Sequence, residues 1–103
     1  MISGLQHDRV AAVLMRDGRA ARLPPVANIA IAELLEAGAG VSLHALAVDL
    51  RGNRPWATHR WSIHVRCELQ RAAPALARIG IAIAIEADRT VHLIDTHANR
   101  SAA

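Results

Sequence analysis

Between Thr58 and Ala73 the chain reads THRWSIHVRCELQRAA, and its apolar residues admit one regular structure. Trp61, Val65, Leu69 and Ala72 recur at i, i+4, i+8 and i+11, a spacing that stacks them on one stripe of a helix. That stripe demands burial, so the remaining elements must be able to cover it. Arg60, Ile63, His64, Cys67 and Arg71 fall on a different arc, with Arg66 and Gln70 between them, and this second face offers guanidinium and imidazole donors. At ~1.5 Å per residue the segment spans roughly 22 Å, enough to lie in a DNA major groove. Six Arg (51, 54, 60, 66, 71 and 78) stand against one acid, Glu68, between residues 51 and 78, a net of +5, while residues 1–50 and 79–103 each sum to −1. The charge of the molecule is concentrated on this stretch.

The flanking sequence is punctuated by turns. Met1 to His7 shows no pattern, and residues 1–8 are expected to be a loose end. Asp17-Gly18 between short apolar runs predicts a hairpin of roughly Val10–Met15 with Ala20–Leu23. Pro24-Pro25 stops the second strand and can open a helix, because a proline at the first helical position lacks only an amide that would be unpaired anyway. Val26, Ile29, Ala30, Leu34 and Ala37 carry that helix to Gly38. Ser42 caps a second, shorter helix with Leu43, Leu46, Ala47 and Leu50 on its apolar stripe and Gly52 at its end. Asn53-Arg54-Pro55-Trp56 reads as a loop, Thr58 as the cap of the basic helix, and Pro74 as its end or kink. Ile81, Ile83 and Ile85 alternate with alanines, Glu86-Ala87-Asp88-Arg89 turns, and Thr90 to Ile94 returns, which predicts a second hairpin. Residues 96–103 are expected to fray, leaving one domain over 9–95. Leu34, Leu46, Leu50, Trp61, Val65, Ile83 and Leu93 are its expected common core.

Composition narrows the function. All twelve basic residues are Arg, a bias that suits a GC-rich genome and also suits bidentate contact with phosphates and guanine edges. One Cys allows no intramolecular disulfide, and no apolar run approaches the roughly 20 residues of a membrane span, so a cytoplasmic protein without a membrane role is expected. His64 and Cys67 could share a metal, but zinc needs four ligands and the chain has neither CxxC nor HExxH, so no metal or other cofactor is expected. Scattered carboxylates, with no phosphate loop or nucleophile elbow, speak against an enzyme. Trp61 belongs with the core stripe, and Trp56 is open to either role.

The order hairpin, helix, helix, basic helix, hairpin is that of an α+β winged helix-turn-helix with three helices, an N-terminal hairpin and a C-terminal hairpin wing. Residues 17–52, DGRAARLPPVANIAIAELLEAGAGVSLHALAVDLRG, resemble the start of the OmpR/PhoB-type effector domain, and Trp61-Ser62-Ile63-His64-Val65-Arg66 is similar to the start of that family's recognition helix. The resemblance covers about Arg9 to Ile94. It departs at Arg51, where the family has Trp, at Cys67, where Arg commonly reads a base, and at Glu68, where the family has a core Leu that Leu69 could replace. No receiver domain accompanies the segment, so phosphorylation control is not implied. The resemblance implies a sequence-specific transcriptional regulator acting on double-stranded DNA as a homodimer or in tandem. Arg54, Thr58, His59, Arg60, Ile63, His64, Arg66, Cys67, Gln70, Arg71, Arg78 and Arg89 are its expected DNA-binding residues. Among them Arg60, Ile63, His64 and Cys67 are assigned to base edges, and Arg54, Arg66, Arg71 and Arg78 to phosphates. Cys67 and the acidic turn at Glu86-Ala87-Asp88 favour an alternative, a module that binds a protein partner in the transcription machinery as antagonist or adaptor.

Overall fold

Local signals set the helices. The structure, a computed structural model, describes residues 2–52 and 57–97, so the loop read over Asn53 to Trp56 and the tail beyond His97 lie outside the described residues. Helix α1 (Pro25–Ala37) starts on Pro25 and stops at Gly38, whose amide bonds the Leu34 carbonyl at 3.2 Å. Helix α2 (Leu43–Arg51) is capped as expected: the Ser42 hydroxyl accepts from the Ala45 amide at 3.0 Å. Helix α3 (Thr58–Ala77) is longer than its sequence suggests. Its N-cap is Ala57 rather than Thr58, whose hydroxyl instead accepts from the Arg51 guanidinium at 3.1 Å and ties α2 to α3. Pro74 does not end the helix. It lies on the exposed side, so the Gln70 carbonyl that loses its amide partner there can turn to water, while buried Ala72 and Leu76 hold the turns on either side against the core.

Two small antiparallel sheets complete an α+β fold. Strands β2 (Val13–Arg16) and β3 (Arg19–Arg22) are joined by Asp17 and Gly18, at φ of 52° and 78°, the left-handed pair that a two-residue hairpin turn needs. The predicted hairpin is present but begins later than Val10, which is fully exposed. The N-terminus corrects the reading more strongly, because β1 (Leu5–Asp8) pairs with β2 and makes a three-stranded sheet. Buried Asn28 of α1 fastens this segment, accepting from His7 Nε2 at 2.6 Å and donating to the Arg9 carbonyl at 2.9 Å. The second sheet runs β4 (Val41–Ser42), β6 (Thr90–Asp95), β5 (Ile81–Ile85), and β4 is too short to announce itself in sequence. Leu34, Leu46, Leu50, Trp61 and Val65 are buried as expected, and Ile83 and Leu93 pack half-buried against that core. Leu14, Ile31, Leu76, Ile79 and Val91 fill the rest. Among the described residues no helix is long and apolar enough to cross a membrane.

One polar group crosses this core. Arg16, beside the Asp17-Gly18 turn, ends β2 and is only 6% exposed. Its guanidinium donates to both carboxylate oxygens of Asp95, at 3.0 and 2.8 Å, and to the carbonyls of Ile79 and Gly80 at 3.2 and 3.4 Å. The Asp95 pairing holds the guanidinium pKa above its ordinary value despite burial. Asp95 is thus a fixed residue at the very end of the expected domain.

Two stability measurements follow from this packing. Asp95→Asn keeps the shape but strips the countercharge from a buried guanidinium, and should lower the urea-unfolding free energy by about 3 kcal/mol; replacing Arg16 and Asp95 together by Met and Leu should recover most of it. Glu33 of α1 gives a pH-dependent case, since burial first, then the charge and hydrogen bond of Asp49 and the charge of Glu36, raise its carboxyl from 4.5 to about 6, with Arg9 opposing. A raised carboxyl favours the fold fully below 4.5 and loses that contribution as pH rises through about 6. Glu33→Gln should therefore stabilise the protein at neutral pH, and the gain in urea midpoint should vanish near pH 4.5.

Candidate nucleic-acid interface

With Trp61, Val65, Glu68, Leu69, Ala72 and Leu76 turned inward, α3 has to present the opposite arc to solvent. That arc holds His59, Arg60, Ile63, Arg66, Cys67 and Gln70, all exposed, and over its 20 residues the helix should run ~30 Å. The single acid of α3, Glu68, is buried on the inner side and bonds Arg71 at 3.3 Å. Glu68 and Leu69 both face inward. No carboxylate belonging to α3 interrupts its exposed arc.

The hairpin between β5 and β6 comes back to this arc. Leu43, His59, Ser62, Ile63, Arg66 and Arg89 line one shallow groove of about 160 Å³. Its hairpin side is built by a tight turn in which the Arg89 amide bonds the Glu86 carbonyl at 2.8 Å and the Glu86 amide bonds the Thr90 carbonyl at 3.0 Å. The Arg89 carbonyl in turn accepts from the Leu43 amide at 2.8 Å, which docks the hairpin on the start of α2. Arg89 sits at φ 65°, a left-handed conformation that a glycine would take without strain. Asp88 is held below the ordinary carboxylate range, chiefly by the Thr90 amide it accepts from at 3.0 Å, so the turn keeps its negative charge beside Arg89. Glu86 lies 3.4 Å from His92, whose ring is charged only when protonated.

Of the expected site residues, His59, Ile63, Arg66 and Arg89 are brought together, and Arg60, Cys67 and Gln70 continue the same face. His64, assigned to a base edge, is half-buried, its ring set edge-to-face on Trp61 with centroids 5.2 Å apart. Arg66 takes the place beside the hairpin that the sequence reading gave to no residue. Thr58 is engaged with Arg51, and Arg71 with Glu68. Arg78 caps the far end of α3, roughly 28 Å along the helix from His59, so the groove does not include it. Arg54 lies outside the described residues. Ser62 and Leu43 line the groove without having been read as site residues; the Ser62 hydroxyl is spent on the Thr58 carbonyl at 3.1 Å. Among the described residues no group of three or more His, Cys, Asp or Glu stands ready to hold a metal ion.

The strain at Arg89 is directly measurable. Arg89→Gly keeps both backbone hydrogen bonds and removes the Cβ penalty, so the melting temperature should rise, by an amount equivalent to about 0.5–1 kcal/mol. A lower melting temperature would mean that the Arg89 side chain itself stabilises the turn.

Compared with protein-family models, with curated proteins and with solved structures, the chain matches none. The significance of this face therefore rests on its own residues.

Proposed function

We propose that the protein is a sequence-specific DNA-binding transcriptional regulator of winged helix-turn-helix architecture, with α3 in the major groove and the β5–β6 hairpin as the wing. One observation carries the reading: a long helix shows a continuous Arg- and His-bearing arc free of its own carboxylates, and a strained Arg89 is held against the same groove. Ala12 and Asp17 share the left-handed φ of Arg89, so it is the place of Arg89 in the groove, beside Arg66, that supports the reading. In this reading Arg60, Ile63, Cys67 and Gln70 meet base edges, with Ile63 suited to a thymine methyl, while Arg66 and Arg89 meet phosphates. Two copies on one site would supply the contact area that a single module of this size lacks.

A second reading, a winged-helix module that docks on a protein of the transcription machinery, draws on Ile63, which is 52% exposed in the middle of the face, and on the acids of the hairpin turn. Fluorescence-anisotropy titration on duplex DNA at several salt concentrations separates the two. Under the DNA reading, Arg66→Ala and Arg89→Gly each weaken binding to all sequences and lower the salt slope by ~1, because one fewer counterion is released. Cys67→Arg should strengthen binding and add preference for guanine at one position. Selection from random duplexes that enriches no motif, together with unchanged DNA affinity in Arg66→Ala and Arg89→Gly, would sink the DNA reading in favour of the second.

A further inference from the structure

Strand β5 is an edge, because the C-terminal sheet runs in the order β4, β6, β5. The Glu86 amide bonds the Thr90 carbonyl and the Thr96 amide bonds the Gly80 carbonyl, in the register that pairs Ile81 with Asp95 and Ile85 with Val91. Even-numbered residues of this strand therefore exchange hydrogen bonds with β6, and the odd-numbered ones turn their N–H and C=O groups outward. Ile81 is only 1% exposed and so is covered, which leaves Ile83 and Ile85 as the open edge. No other described strand pairs with it. Edge strands are ordinarily guarded by a charge, a proline or a bulge, and Ile81-Ala82-Ile83-Ala84-Ile85 has neither charge nor proline. Beside it, Leu69, Ala73, Ile83 and Ile85 form much of a groove of about 190 Å³ between α3 and β5, rimmed by Arg66 and Gln70.

We propose that β5 is the seam of a homodimer, in which the β5 strands of two copies pair antiparallel about a two-fold axis at Ala84. The two three-stranded sheets then join into one of six strands. An axis at Ala84 sets Ile83 of each copy opposite Ile85 of the other, so the open backbone groups satisfy one another and the paired isoleucines extend the apolar floor of the groove. Ala84 meets its own copy across a non-hydrogen-bonded pair, where Cα atoms lie about 4.5 Å apart and a small side chain fits. The ends of the strand select a copy over a foreign strand. Exposed Arg78 precedes β5, and the exposed turn Glu86-Ala87-Asp88-Arg89, net −1, follows it, so antiparallel pairing brings the basic end of each copy toward the acidic end of the other. Parallel pairing would set like charge against like. The seam does not depend on DNA binding and is measured without DNA.

Sedimentation equilibrium of the full chain should show a mass that rises from one chain to two with concentration. Ala84 lies on the sheet face opposite Ile83 and Ile85, so Ala84→Arg sets two like charges on the axis without entering the core, and should hold the protein at one chain with an unchanged melt. In a Cys67→Ser background, Ala84→Cys should form an interchain disulfide under mild oxidation, whereas Ala82→Cys, roughly 13 Å from its counterpart, should not. A protein that stays one chain at every concentration, or a dimer that survives Ala84→Arg and cross-links equally from either cysteine, overturns the proposal.

Discussion

A single guanidinium holds the two ends of the chain together. Arg16 is the last residue of β2 and Asp95 the last of β6, 79 positions apart, and their two-pronged contact lies almost wholly out of water. Desolvating two charges costs several kcal/mol, and only good geometry with further hydrogen bonds offsets it. Arg16 meets that condition by adding the Ile79 and Gly80 carbonyls to the carboxylate. The planar fork matters here, since a lysine ammonium is a compact point charge that cannot present two parallel donors. Gly80 completes the joint: it adopts φ 72°, and a Cβ there would fall 2.5 Å from the His97 ring.

The consequences run along the second sheet. Asp95 anchors β6, the central strand of that sheet, so the pair fixes at one stroke the N-terminal sheet, the turn leaving α3 and the strand that carries both β4 and β5. Strand β4 leads directly into α2, and the Leu43 amide at the start of α2 bonds the carbonyl of Arg89 at the other end of β6. Meanwhile Arg51 at the end of α2 reaches Thr58 at the start of α3. The hairpin tip and the exposed arc of α3 are thus referred to the same helix, the first by a backbone bond and the second by a side-chain bond. The Arg66 and Arg89 side chains of the groove remain exposed.

The parts legible in the sequence are those encoded locally. The bounds of α1 and α2 follow from Pro25, Gly38, Ser42 and Gly52 because caps act within a turn, and the buried stripe of α3 follows from its period. Strand β1 was hidden because Leu5–Asp8 gains its order from a partner strand and from Asn28, neither of which leaves a local mark. Pro74 misled for the opposite reason: a strong local signal was overruled by the burial of Leu76 beyond it. Arg16 stands beside a turn dipeptide in sequence, and only the folded chain brings it to Asp95. The candidate site divides the same way. The arc of α3 was readable except for His64, which Trp61 draws half out of solvent, whereas the meeting of Arg66 with Arg89 depends on how the hairpin folds back.

Charge is distributed among the elements as unevenly as burial. The acids Glu33, Glu36 and Asp49 gather on α1 and α2, close enough to add to the burial that pushes Glu33 upward, while the exposed side of α3 carries only basic and neutral groups. Crowding carboxylates at the first site works against the fold, yet it leaves the molecule with a charge asymmetry that its modest net charge of +3 conceals. A polyanion approaching such a molecule meets attraction from α3 and repulsion from α1, while α2 is balanced by Asp49 and Arg51, so the field favours encounters in which α3 leads. The acids of the hairpin turn then bear on register more than on attraction. Asp88 is tied to the Thr90 amide, and Glu86 lies near His92, so both negative charges are held in the turn while Arg89 alone of its residues lines the groove. In the proposed DNA-bound arrangement the asymmetry would orient the approach, and Arg89 would set where the hairpin comes to rest.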